Sequence, residues 1–143
     1  MSFRDKFQLL SGGSIPGRDW QALKDQYIRE VNALHNKIRD WLKEYSSITF
    51  GYEPIIVSEE YIGEYNATTL DINIQGRIIA LDPIGRNIIG ASGRVDCYRR
   101  GFKSNSVMLI LSDKEEWQIW WNRKQIDPLS KSSFEDLLDK LID

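Results

Sequence analysis

The stretch Trp117-Gln118-Ile119-Trp120-Trp121, together with the cations on either side of it, holds the residues whose types and spacing point most directly to chemistry. That chemistry is recognition. In a strand, period two sends Trp117, Ile119 and Trp121 to one face and Trp120 to the other, with Gln118 and Asn122. An outward-facing tryptophan is a strong anchor for a partner. If Arg99, Arg100, Lys103, Arg123 and Lys124 share its face, the same surface stacks bases and neutralises phosphates. The competing reading covers both faces of the sheet with helices and packs Trp120 beneath one of them.

Catalytic chemistry finds little support. A Ser–His–Asp or Cys–His relay would have to use His35 as its base, and His35 follows Leu34 on a helix whose apolar stripe is committed to packing. Cys97 lies between Asp96 and Tyr98 in an alternating segment, where a free cysteine behaves as core. A structural zinc site takes about four Cys or His ligands, so His35 and Cys97 imply no metal. Glu59, Glu60 and Glu64 lack the alternating oxygens and glycine turn of a calcium loop. Gly12-Gly13-Ser14-Ile15-Pro16-Gly17-Arg18-Asp19 imitates a phosphate-binding loop, but Arg18 replaces the lysine and Asp19 would set a carboxylate beside the phosphates. No catalytic residue, cofactor or metal ligand is therefore assigned. A carboxylate site without a recognisable motif is the remaining enzymatic reading.

Charge is unevenly distributed along the chain. Glu44, Glu53, Glu59, Glu60, Glu64 and Asp71 occur in a stretch that contains no lysine or arginine. Arg77, Arg86, Arg94, Arg99, Arg100 and Lys103 follow, against Asp82 and Asp96. Neighbouring strands of opposite charge pair across a sheet, each pair contributing a few tenths of a kcal/mol. The total of −2 argues against binding DNA over the whole surface. Nucleic acid or another anion held by residues 94–103 with Trp120 is the second functional reading.

Helices and strands must position these groups. With 143 residues the chain fits one α+β domain, 1–143, in which a core forms readily. Residues 1–17 read as an N-terminal arm and loop, with Phe3, Phe7 and Leu10 on one side of a short turn and a breaker cluster from Ser11 to Gly17. Trp20, Leu23, Tyr27, Val31, Leu34, Ile38, Trp41 and Tyr45 recur at three or four, which predicts a long amphipathic helix over 18–45 capped by Asp19. From 48 to 122 the period is two, which predicts a mainly antiparallel sheet of five to six strands. Asp82-Pro83-Ile84-Gly85 reads as a turn, and Asn87–Gly90 joins Arg94–Tyr98 in a bent strand. A short helix over 130–142 closes the domain, capped either by Ser132 with Glu135 or by Ser130 with Leu129 and Phe134 as a staple.

A helix of that length is about 40 Å long, whereas five strands side by side span about 24 Å. The surplus predicts another partner for the Trp20 to Tyr27 end of the stripe, either the Phe3–Leu10 segment folded back on it or the same helix of a second subunit. Trp20, Leu23, Tyr27, Val31 and Leu34 are the residues expected at a homodimer contact. The leading functional reading is accordingly a non-enzymatic protein-binding or regulatory module, a small homodimer whose partner is another protein. The segment before Leu10 lacks the apolar run of a signal peptide, no stretch reaches the roughly 20 apolar residues of a membrane span, and the lone cysteine suits a reducing cytoplasm.

Overall fold

The computed structural model describes residues 19–86 and 91–143. Within them a helix, α1 (Trp20–Leu42), leads into β1 (Ile48–Glu59), β2 (Gly63–Ile74), β3 (Arg77–Gly85), β4 (Gly93–Arg99), β5 (Val107–Leu111), β6 (Trp117–Trp120) and β7 (Ile126–Pro128). A second helix, α2 (Lys131–Ile142), follows. The sheet has seven strands in sequence order, and every neighbouring pair is antiparallel. The architecture is α+β, with one strand more than the upper expectation. The extra strand is β7, too short to show a period in the sequence. The proposed arm and loop over 1–17 and the Asn87–Gly90 strand lie outside the described residues.

The stripe of α1 is buried on the sheet, with Tyr27, Val31, Leu34, Ile38 and Leu42 all in the core. Asp19 caps the helix, its carboxylate accepting from the Ala22 amide at 3.1 Å. The helix stops at Leu42 rather than 45; Tyr45 already belongs to a turn, its N–H donating to Leu42 O at 3.0 Å. Its 23 residues therefore span about 35 Å, while β1 and β2, each 12 residues, run for about 40 Å. The expected surplus does not exist. Long strands and a seventh strand bring the sheet to the length of the helix, and Trp20 and Leu23 at its start stay half-buried.

The helices share one face of the sheet, where the Trp41 and Phe134 rings meet at 6.0 Å. Leu81, Cys97 and Val107 form one cross-strand row of that face, and Val95, Leu109 and Ile119 form another. Pro54 lies within β1, an edge strand, where its missing N–H costs no ladder bond. Asp82 and Pro83 continue β3 rather than turning. The Asp82 carboxylate accepts from Thr69 Oγ1 at 2.8 Å and from the Tyr98 hydroxyl at 2.6 Å, which ties β3 to both neighbours. The irregularity expected there is reduced to a register shift between Pro83 and Gly85. α2 uses the Ser130 cap: Ser130 Oγ accepts from Ser133 N at 3.1 Å, and Ser133 Oγ accepts from Ser130 N at 2.8 Å.

Candidate functional site

Because consecutive strands are antiparallel, alternate connections meet at the same end of the sheet. One end gathers the β2–β3, β4–β5 and β6–β7 connections, and the close approach of Lys140 to Trp121 brings the C-terminal turn of α2 there too. Arg77, Arg99, Arg100, Lys103, Arg123, Lys124 and Lys140 all belong to this end. The other end holds the β1–β2 and β5–β6 connections and carries Glu59, Glu60, Glu64, Asp113, Glu115 and Glu116 against Arg86, Arg94 and Lys114. A chain of small net charge is thus divided into a basic end and an acidic end.

The β4–β5 connection shapes the basic end. Gly101 takes φ +91, a conformation that L side chains resist, and turns the chain directly after Arg99 and Arg100. Phe102 N donates to Arg99 O at 2.8 Å, and a single 3-10 turn, Lys103–Asn105, completes the reversal. Phe102 is left about half exposed beneath the guanidinium of Arg99, whose Cζ lies 4.7 Å from the ring centre. Lys103 Nζ lies 5.6 Å from the Tyr98 ring, and Lys140 Nζ lies 5.5 Å from the Trp121 ring. The Trp121 ring is fixed in turn, because its Nε1 donates to Asp127 at 2.8 Å.

These cations rest on aromatic faces and not on carboxylates. Among the described residues none of Arg99, Lys103 and Lys140 has a carboxylate within ion-pair range. Arg99, Phe102, Trp121, Lys140 and Asp143, with Val107 and Leu141, line a cleft of about 260 Å³. A cation over a ring contributes about 0.5–1 kcal/mol at an exposed site; Arg99 also donates from Nη1 to Ile142 O at 3.5 Å, and its other N–H groups have no carboxylate acceptor among the described residues.

The residues singled out in the sequence are divided by the fold. Trp120 lies on the face opposite the two described helices, half-buried in a row with Met108 and Ile126, its Nε1 donating to Gln118 at 3.2 Å. Arg99 and Arg100 take opposite faces of β4. Arg100 is held by Asp71 at 2.8 Å and Glu53 at 3.0 Å, the cross-sheet pairing that the charge pattern suggested, and is not free for an external anion. Lys103 and Arg123 stay exposed at the basic end with Arg99. The fold thus splits the arginines: Arg100 shares the face of Trp120 but is paired with Asp71 and Glu53, while Arg99 lies on the other face, where Trp121 and not Trp120 accompanies it. Alternation sends Trp121 toward the helices, but it lies at the end of β6, at the margin of the core. Phe102 and Lys140 escaped notice because a turn and a helix terminus, far apart in sequence, bring them together.

Of the residues expected at a helix dimer, Tyr27, Val31 and Leu34 are buried in the chain's own core. Leu23 is half-buried, and Trp20 stacks on Tyr61 at 5.6 Å. The C-terminal part of the stripe is thus buried in the chain's own core, and its first turn is half-buried.

No group of three or more His, Cys, Asp and Glu residues among those described is placed to hold a metal ion. Cys97 is fully buried, and burial pushes its thiol up, away from the thiolate form that does chemistry. His35 is 2 % exposed, its Nε2 has no hydrogen-bond partner among the described residues, and burial lowers its pKa to about 4. Burial, and then the hydrogen bond to Asp82, pushes the Tyr98 hydroxyl up to about 12. A cleft of about 270 Å³ between α1 and the β5–β6 connection is lined by Glu30, Glu115 and Glu116 with Lys37. There Glu115 accepts from Gln26 at 2.6 Å.

Among the described residues, one sheet and two helices make an α+β fold with a cationic, aromatic-lined end. No helix among the described residues is long and apolar enough to cross a membrane. No family model, no curated protein and no solved structure matches the chain.

Proposed function

We propose that this chain is a non-enzymatic binding module that holds an acidic segment of another protein on its basic end. The observation that supports this most is the state of the cations there. Arg99, Lys103 and Lys140 sit on Phe102, Tyr98 and Trp121 with no carboxylate in ion-pair range among the described residues. Charge held on rigid rings and left unneutralised is poised for an external anion, and aromatic and arginine groups are what interface hot spots are made of. Burial of Tyr27, Val31 and Leu34 within one chain leaves only Trp20 and Leu23 of the stripe for a contact between copies, which favours a protein partner at the basic end over a homodimer through α1.

A second reading has its own observation. Exposed Phe102 beside Arg99 and Lys103 is also the pairing that stacks a base and neutralises its phosphate. Fluorescence anisotropy with a labelled hexaglutamate peptide and a labelled single-stranded oligonucleotide separates the two. The account expects peptide binding at low salt that weakens as salt is raised, and weaker binding of the oligonucleotide. Tighter binding of the oligonucleotide would favour the nucleic-acid reading; binding of neither at low salt would remove both.

A further inference from the structure

The geometry points to the cleft between Arg99 and Lys140 as a seat for the C-terminal residue of the partner: a free chain-end carboxylate carried on one apolar side chain. This inference rests on the proposed function and narrows it from an acidic surface to one residue.

The size of the cleft sets the first limit. Its volume of about 260 Å³ lies just below the roughly 300–1,000 Å³ of sites that take whole small-molecule ligands, so it suits one residue. Its chemistry sets the second. Beside its cations and polar groups the lining carries apolar surface, chiefly the Phe102 and Trp121 rings with Val107 and Leu141 behind them, which would be wasted on a bare anion or on a run of glutamates. Arg99, whose Nη1 donates to Ile142 O at 3.5 Å, turns the remaining N–H groups of a planar fork to the two oxygens of a carboxylate, and Lys140 adds a second charge.

Rigidity is the third consideration. Arg99 is supported by the Phe102 ring, and Lys140 rests on a Trp121 ring fixed by Asp127. Little side-chain freedom remains to be lost on binding. A chain end satisfies both requirements at one point, with two oxygens for the cations and an adjoining side chain for the apolar lining. An internal glutamate meets only the first, since its apolar stem is short and its flanking peptide groups must also be satisfied. Asp143 also lines the cleft, and its carboxylate competes with the ligand's for the same cations.

The test compares two synthetic peptides of one sequence, four acidic residues followed by phenylalanine, one with a free C-terminal carboxylate and one amidated. Binding is measured by isothermal titration at low salt to the whole chain and to its Arg99→Gln and Lys140→Gln variants, each checked for folding by circular dichroism. The expected result is at least tenfold tighter binding of the free acid, an advantage lost in both variants, and tightening in Asp143→Asn. Equal affinity of acid and amide overturns the cleft assignment and leaves the acidic-segment reading intact. An advantage for the acid that survives both substitutions places the chain end elsewhere and likewise overturns it. N-acetyl-phenylalanine binding as tightly as the peptide would make the ligand a small free acid and overturn the chain-end source. Failure of both peptides to bind the unaltered chain overturns this inference and the proposed function together.

Discussion

The two ends of the sheet are built from the same element, the connection between antiparallel strands, and they treat their charges in opposite ways. At the acidic end, carboxylates serve the fold. Glu59 accepts from the Tyr65 hydroxyl and from the Arg86 amide at 2.8 Å, and Glu115 accepts from Gln26. Close by, the Tyr27 hydroxyl donates to Arg94 O at 2.6 Å, and the Tyr27 ring lies against Gly93. At the basic end, cations lie on rings, and Phe102 remains half exposed. Charge used internally stabilises the fold; charge left uncommitted is available to a partner. The difference teaches that the ends have separate work, and substitutions can separate them.

The largest effect expected concerns the core on which both ends are mounted. His35 is buried neutral with a pKa of about 4, against about 6.5 in the unfolded chain. Its folded value is lowered, so the stability of the neutral ring is complete above pH 6.5 and is lost as pH falls toward 4. The loss amounts to about 3 kcal/mol by pH 4. Urea unfolding across that range should show the decline, and His35→Leu should flatten it. A decline of equal size in the variant would assign it to the carboxylates of the acidic end instead.

Gly93 and Gly101 make the next contrast. A Cβ on Gly93 would come 2.6 Å from the Tyr27 ring, so Gly93→Ala should cost about 1–3 kcal/mol. At Gly101 nothing lies within 4 Å, and only the φ of +91 opposes a side chain. Gly101→Ala should cost about 1 kcal/mol while displacing Phe102 and weakening peptide binding. Thermal unfolding and anisotropy on both variants would show whether stability and binding divide between the ends in this way.

Smaller still is Glu59→Gln, which leaves one acceptor where two donors converge. About 1 kcal/mol of stability should go, with no change in peptide affinity. The smallest stability effects belong to Arg99→Gln, Lys103→Gln and Lys140→Gln, each expected within about 0.5 kcal/mol of the unaltered chain. Each should nonetheless weaken hexaglutamate binding. Equal losses of stability from Glu59→Gln and Lys140→Gln would erase the contrast.

Much of the fold was legible in residue spacing. The stripe from Tyr27 to Leu42 and the alternation of Leu70, Ile72 and Ile74 report burial on one face, and burial is a local property of a regular element. The Ser130 cap was visible as one of two choices; Leu129 and Phe134 decide for it because both pack on the core. β7 was not visible, since three residues carry no period. Asp82-Pro83 misled because a turn-forming pair was overridden by hydrogen bonds from Thr69 and Tyr98, partners on other strands. The candidate site was legible only in part. Arg99, Lys103 and Arg123 were named from charge alone, while Phe102, Trp121 and Lys140 join them through three separate connections that only the topology brings together.

The most direct test of the division between the ends is a titration of the isotopically labelled chain with hexaglutamate at low salt, followed by amide chemical shifts. The account predicts shifts concentrated in residues 99–106, 121–125 and 140–143, with residues 59–64 and 113–116 unmoved. Shifts spread evenly over both ends, or centred on Trp120 and the face opposite the two described helices, would contradict it.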